Sequence, residues 1–384
     1  MKKGKNRPPI LCVGGYAGCG NLGDDAILTG FLEGLWRRGV APDTVTVLSG
    51  KPWRDAHRFG VRCVGRKNPF GVLLALLRAD VFVSGGGTLL QNRTGKRSLL
   101  YYLWLLRLAR LCGCRTVALG GLGPLSGGRA RRAVRKELDA CAAILLRDSF
   151  SAALAWEIGV KNERLTVGAD PAFLLPEPPV LRAAFLVGRL VGDLQKPFLC
   201  VCPCGGVPVF GLAGFLRRSF PGFFPIFLLC DPARDAAPAR CLQKKLGGAV
   251  YSPRDVSEAA ALFSAAAAVL SCRLHPLVLS VRVGTRCVCF SGGDPKLAAF
   301  CQSAGIPLFA AGAGDVIFPP AADFFSLPAP DPADFCQAAA KDLAFFCDMV
   351  YNGKEQAAPA QARGKGRIFH EKRAAGGSAP PHHH

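Results

Sequence analysis

"AAILLRDSFSAALAWEIGVKNERLTVGAD", residues 142–170, decides the fold. Its opening apolar run is short enough to be a strand and ends abruptly on Arg147 and Asp148. A short helical stretch follows, and "RLTVGAD" then reads as a second strand. A strand, a crossover helix and a strand within about thirty residues form the unit of a parallel sheet.

The same alternation extends in both directions. Upstream, "PILCVGG" (9–15), "TVTVLSG" (44–50), "DVFVSGGG" (80–87) and "RTVALGGLGPL" (115–125) read as strands. Helical stretches separate them: "DDAILTGFLEGLWRRG", "FGVLLALLRA", "RSLLYYLWLLRLARLCG" and "RARRAVRKELDAC". "PEPP" at 176–179 interrupts the pattern, which resumes in "PFLCVCPCGG", "FPIFLLCD", "GAVYS", "AAAVLSCR" and "TRCVCFSG" before a long helix near 331–350. The expected fold class is α/β, with two Rossmann-like doubly wound domains facing a cleft. That arrangement resembles the GT-B glycosyltransferases. The expected divisions are an N-terminal domain over 1–175, a linker region over 176–195, a C-terminal domain over 196–350 and a basic mobile tail over 351–384.

A chain of 384 residues, half of them hydrophobic, can bury two cores of ordinary size. Its 48 Lys and Arg against 27 Asp and Glu leave a formal charge of +21, which favours an anionic partner without choosing one. The 17 cysteines are odd in number, follow no secretory signal and include no C-x-x-C pair. Alternating cysteines such as Cys200, Cys202 and Cys204 fit one face of a strand, so mostly free, buried thiols and no metal are expected. No apolar run reaches the length of a membrane span, and a cytoplasmic protein is expected.

Ligands of such sheets gather beyond the carboxyl ends of the strands, and four stretches place polar residues there. "GGYAGCGNLGDDAIL" (14–28) offers Asn21 and Asp24 to sugar hydroxyls, or simply caps a helix. "SGGGTLLQ" (84–91) lets its backbone approach a ligand or a neighbouring loop. "LLRDSFS" (145–151) presents Arg147, or an Arg–Asp surface pair with Ser149 as the helix cap. "SCRLHPLVLS" (271–280) places Arg273 and His275 two residues apart before a helix. Pro276 restrains His275 to extended geometry, so both side chains should point one way beside free helix amides, an anion site.

Together with "GLGPL" (121–125), "ADPAF" (169–173) and "DPK" (294–296), these stretches resemble the polysaccharide pyruvyl transferase family, of the CsaB type acting on bacterial cell-wall polysaccharide. The resemblance spans nearly residues 10–300. It implies transfer of pyruvate from phosphoenolpyruvate onto two hydroxyls of one sugar as a cyclic ketal. It also implies Arg147, Arg273 and His275 as catalytic and donor-binding residues, with Leu274 against the donor. On the acceptor side, in the first domain, stand Asn21 and Asp24. Phosphoenolpyruvate would be a co-substrate, with no cofactor and no metal.

The expected partners are phosphoenolpyruvate and a cell-wall polysaccharide or its lipid-linked precursor. Association with the inner face of the membrane, through the basic helix "RARRAVRKE", is a further expectation; nucleic acid is not. Two rivals are a GT-B glycosyltransferase using a nucleotide sugar and a non-catalytic polyanion-binding protein. The second lacks the aromatic-interleaved basic strands of single-strand binders.

Overall fold

The computed structural model describes residues 7–352 except 94, 207, 292 and 311–327. Its first sheet holds seven parallel strands: β1 (Leu11–Gly14), β2 (Val45–Ser49), β3 (Arg62–Gly65), β4 (Val81–Leu90), β5 (Arg115–Leu122), β6 (Ala143–Leu146) and β7 (Leu165–Val167), in the order β3-β2-β1-β4-β5-β6-β7. The second holds six: β8 (Phe198–Cys202), β9 (Phe224–Leu228), β10 (Ala249–Tyr251), β11 (Ala268–Ser271), β12 (Cys287–Ser291) and β13 (Leu308–Ala310), in the order β10-β9-β8-β11-β12-β13. In both, the order reverses beside the first strand laid down, where doubly wound sheets open a crevice.

Central strands are buried on both faces, which is why "AILL" and "FLCVC" are apolar without alternation. One side of the first sheet is covered by α3 (Pro69–Arg78), α4 (Lys96–Leu111), α5 (Gly128–Asp139) and α6 (Ser149–Glu157), whose Leu76, Leu106, Leu138 and Ala155 are buried in one cluster. The other side takes α1 (Leu22–Arg37), while α2 (Pro52–Phe59) connects β2 to β3. The sequence pattern does not announce α2 and β3. Their 51–65 stretch is polar and half-exposed, so it lacks the apolar run that marks the inner strands.

The region 176–195 contains a helix, α7 (Val180–Val191), which packs on α10 (Val256–Ala265). The second sheet is also flanked by α8 (Val209–Ser219), α9 (Pro232–Leu246), α11 (Leu274–Arg282) and α12 (Pro295–Ala304). The last helix, α13 (Ala333–Tyr351), returns to the first sheet. There Phe346 meets Phe31 edge-on, and the Arg115 guanidinium donates to the Met349 and Val350 carbonyls. The tail from residue 353 onward lies outside the described residues.

The carboxyl ends of the two sheets face each other. The Leu22 amide, after β1, donates to the Cys230 carbonyl after β9 at 2.9 Å. The Lys296 ammonium, after β12, donates to Thr88 Oγ1 of β4 at 2.8 Å.

Candidate active site

Arg147 follows β6 and is buried. Its Nη1 donates to Asp170 Oδ2 at 2.7 Å, and its Nε lies 3.3 Å from Asp148 Oδ2. The helix cap here is Asp148, not Ser149: its Oδ1 accepts from the Ser151 amide. Asp170 follows β7 and divides its oxygens, since Oδ1 accepts from the Ala172 amide while Oδ2 faces Arg147. Burial would raise the Asp170 pKa, but the Arg147 charge and His275 overcome it and hold the carboxyl at about 2.

His275 reaches this pair from the second domain. Its Nε2 stands 3.3 Å from Arg147 Nη1 and 3.5 Å from Asp170 Oδ2. A guanidinium only donates, so neutral His275 accepts from Arg147 at Nε2, whereas the imidazolium donates from Nε2 to Asp170. Both protonation states therefore have a partner. On the other side of the ring, Nδ1 lies against Gly23 in the first turn of α1, where a Cβ would overlap it. Glycine at 23 lets the two helix N-termini meet.

The expected geometry of "SCRLHPLVLS" needs correction. Helix α11 begins at Leu274, so His275 is helical and not extended. Pro276 sits within the first turn, where its missing amide would have had no helical acceptor. Arg273 is the cap residue with extended backbone, and the two side chains take different partners. The Arg273 guanidinium forks onto Asp235 Oδ1, with Nε at 3.0 Å, and lies 3.9 Å from Asp231 Oδ2 at the start of α9. Burial raises the Asp235 pKa in spite of Arg273. Leu274 packs half-buried on the main core.

In the first domain Asn21 caps α1 through the Gly23 amide at 2.9 Å. Asp24, one turn on, is buried and accepts the Gly87 amide at 2.9 Å. Burial raises its pKa, opposed by that amide, His275 and Arg147. The glycines of "SGGGTLLQ" serve strand packing: a Cβ at Gly15 would overlap the Gly85 carbonyl, and one at Gly120 the Gly86 carbonyl. Tyr16, Gly85 and Gly86 line a small cavity beside Asp24.

Two residues of this cluster are not among the site residues expected from the sequence, although both lie in motifs that carry the family resemblance. Asp170 belongs to "ADPAF" and Lys296 to "DPK". Asp294 caps α12 through the Lys296 amide, which turns the lysine toward the first domain. Burial and the nearby Arg147 lower the Lys296 pKa to about 8. Cys204 and Cys272 form a disulfide beside Arg273, and the other cysteines are thiols. The pairing brings together the loop after β8 and the end of β11, which the alternation of cysteines along one strand could not reveal.

Among solved structures, a putative UDP-N-acetylglucosamine 2-epimerase from Listeria monocytogenes is similar, with 11% identity and a TM-score of 0.59 over 92% of this chain and 100% of that one. Anabaena HepE in complex with UDP and glucose gives 12% and 0.54 over 89% and 95%. A glycosyltransferase from Rickettsia africae gives 12% and 0.53 over 88% and 94%. At such identities the likeness concerns the fold, which is GT-B-like. No curated protein matched the chain. Residues 21–195, which supply Asn21, Asp24, Arg147 and Asp170 to the cluster, match the family model described as Polysaccharide pyruvyl transferase.

Proposed function

We propose that the protein transfers pyruvate from phosphoenolpyruvate to two hydroxyls of a cell-wall polysaccharide sugar, or of its lipid-linked precursor, forming a cyclic ketal. The contact of His275 with Arg147 and Asp170 carries this proposal, because it joins "SCRLHPLVLS" of one domain to "LLRDSFS" and "ADPAF" of the other. The family match over 21–195 supports it.

In this scheme His275 donates the proton held at Nε2 to the donor methylene, which makes the enol carbon electrophilic. Arg147, Arg273 and Lys296 balance the phosphate and carboxylate. Leu274 lies against the donor. Asp24, whose raised proton affinity makes its carboxylate a stronger base, takes the proton of the first attacking hydroxyl. Asn21 holds the loop in which Asp24 stands. A second hydroxyl then attacks the same carbon, the C–O bond to phosphate breaks and inorganic phosphate leaves with the remaining proton.

The test is incubation with phosphoenolpyruvate and cell-wall saccharides. Phosphate release should accompany a product mass gain of about 70 Da, pyruvate less water. The UDP complex of Anabaena HepE makes nucleotide-sugar transfer the rival. Release of UDP from a UDP-sugar, with phosphoenolpyruvate untouched, would establish that rival instead.

A further inference from the structure

Helix α3 is apolar on two opposite faces, and only one of them is covered. Val72, Ala75 and Leu76 point inward to join α4 in the core. Phe70, Leu73, Leu74 and Leu77, at the i, i+3, i+4 and i+7 positions of a single stripe, face solvent. Phe70 is 79% exposed, Leu74 54% and Leu77 50%. Helix α4 lies alongside and extends the surface with Leu100 and Trp104, 63% and 46% exposed. A monomer gains nothing from such an apolar stripe turned to water.

The surroundings of this stripe are cationic. Arg62, Lys67, Arg78, Lys96 and Arg97 are exposed around it, Arg107 is held by Glu137 of α5, and the sequence from residue 62 to residue 111 has Asp80 as its only carboxylate. We infer that the α3–α4 face docks on an anionic lipid bilayer, with the apolar stripe entering the headgroup boundary and the arginines and lysines on the lipid phosphates. Charge selects this occupant over two others. A second copy related by a twofold axis would set one cationic rim against the other. Residues 353–384 are themselves basic, with Lys354, Arg363, Lys365, Arg367, Lys372 and Arg373 against Glu355 and Glu371, and so repel the same rim. The face adjoins the basic α5, whose sequence first suggested a membrane contact, but α5 lacks the exposed apolar stripe.

The full chain should sediment with vesicles of equal parts phosphatidylcholine and phosphatidylglycerol and not with phosphatidylcholine alone, and sodium chloride should weaken the binding. Leu74→Asp with Leu77→Asp should lower partitioning at least about tenfold without moving the melting temperature, since both side chains are solvent-facing. Lys67→Glu with Arg97→Glu should weaken it about tenfold as well. Arg240→Glu with Lys244→Glu removes the same charge from exposed positions on α9 and should have little effect. Equal losses from the α9 and α3–α4 charge reversals would reduce the effect to net charge and overturn the inference. So would unchanged binding by the leucine variant, or a dimer in solution that this variant dissolves. Vesicle binding needs no substrate, so these outcomes are independent of the transfer reaction.

Discussion

Asp170→Asn removes one charge from the centre of the candidate site while keeping the shape of the side chain and the oxygen that accepts from Ala172. In the folded protein the Asp170 carboxyl is held at about 2 against an ordinary 3.8. At 1.36 kcal/mol per pH unit, that difference corresponds to about 2.5 kcal/mol of stability at neutral pH. The variant also leaves Arg147 buried with only Asp148 as a carboxylate partner, and breaking a buried pair costs about 3–5 kcal/mol. The melting temperature at pH 7 should therefore fall by roughly 5–15 °C.

The sign of the pH dependence follows from the depressed pKa. The wild-type advantage is complete well above the unfolded value, and about half of the titrating part is gone by pH 3 as Asp170 takes up its proton. Urea unfolding of both proteins at pH 7, 5 and 3 measures this convergence. Arg147→Met in the Asp170→Asn background removes the orphaned charge and should recover part of the loss. Equal stability of wild type and Asp170→Asn at pH 7, with parallel pH profiles, would refute the ion-pair account of this cluster.

Gly23→Ala should displace the His275 ring and cut phosphate release from phosphoenolpyruvate by about 10²-fold or more; normal turnover would show that the contact with α1 does not set the position of His275. Because Lys296 is cationic only below about 8, donor affinity should fall as pH rises through that value, and Lys296→Met should abolish this dependence while raising the donor KM. Burial raises the Asp342 pKa on α13 to about 7, so its ionisation disfavours the fold; Asp342→Asn should stabilise the protein above pH 7, and the gap should vanish below about pH 4, as paired melting curves can check.

The sheets were legible in the sequence because inner parallel strands must be apolar on both faces, and "AILL" and "FLCVC" are. The edge of the first sheet was not, because β3 is half-exposed and carries no such run. The placement of polar residues at strand ends located Arg147, Asp24 and His275, which the fold brings together from three separate elements. Distances along the chain could not reveal that Asp170 is the common partner of Arg147 and His275, because its proximity to Arg147 is created by β6 lying beside β7. Arg273 was aimed wrongly for a local reason. Proline after His275 suggested an extended segment, yet a proline in the first helical turn is compatible with a helix that begins before it.

That earlier start has a chemical consequence. It separates the two arginines into different charge environments, Arg147 beside Asp170 and Asp148, Arg273 beside Asp235 and Asp231. Each arginine is already balanced by carboxylates, so neither contributes a full unpaired charge to an anionic ligand. A donor bearing both phosphate and carboxylate must therefore draw its remaining attraction from groups that gain charge or change partner when it binds. Lys296, held near 8 by burial and by Arg147, gains cationic character beside an anion. His275, suspended between a guanidinium and a carboxylate, changes partner when it gains or loses a proton. The same balance thus concentrates the response to a ligand on one lysine and one histidine, both supplied by the second domain to a cluster built in the first.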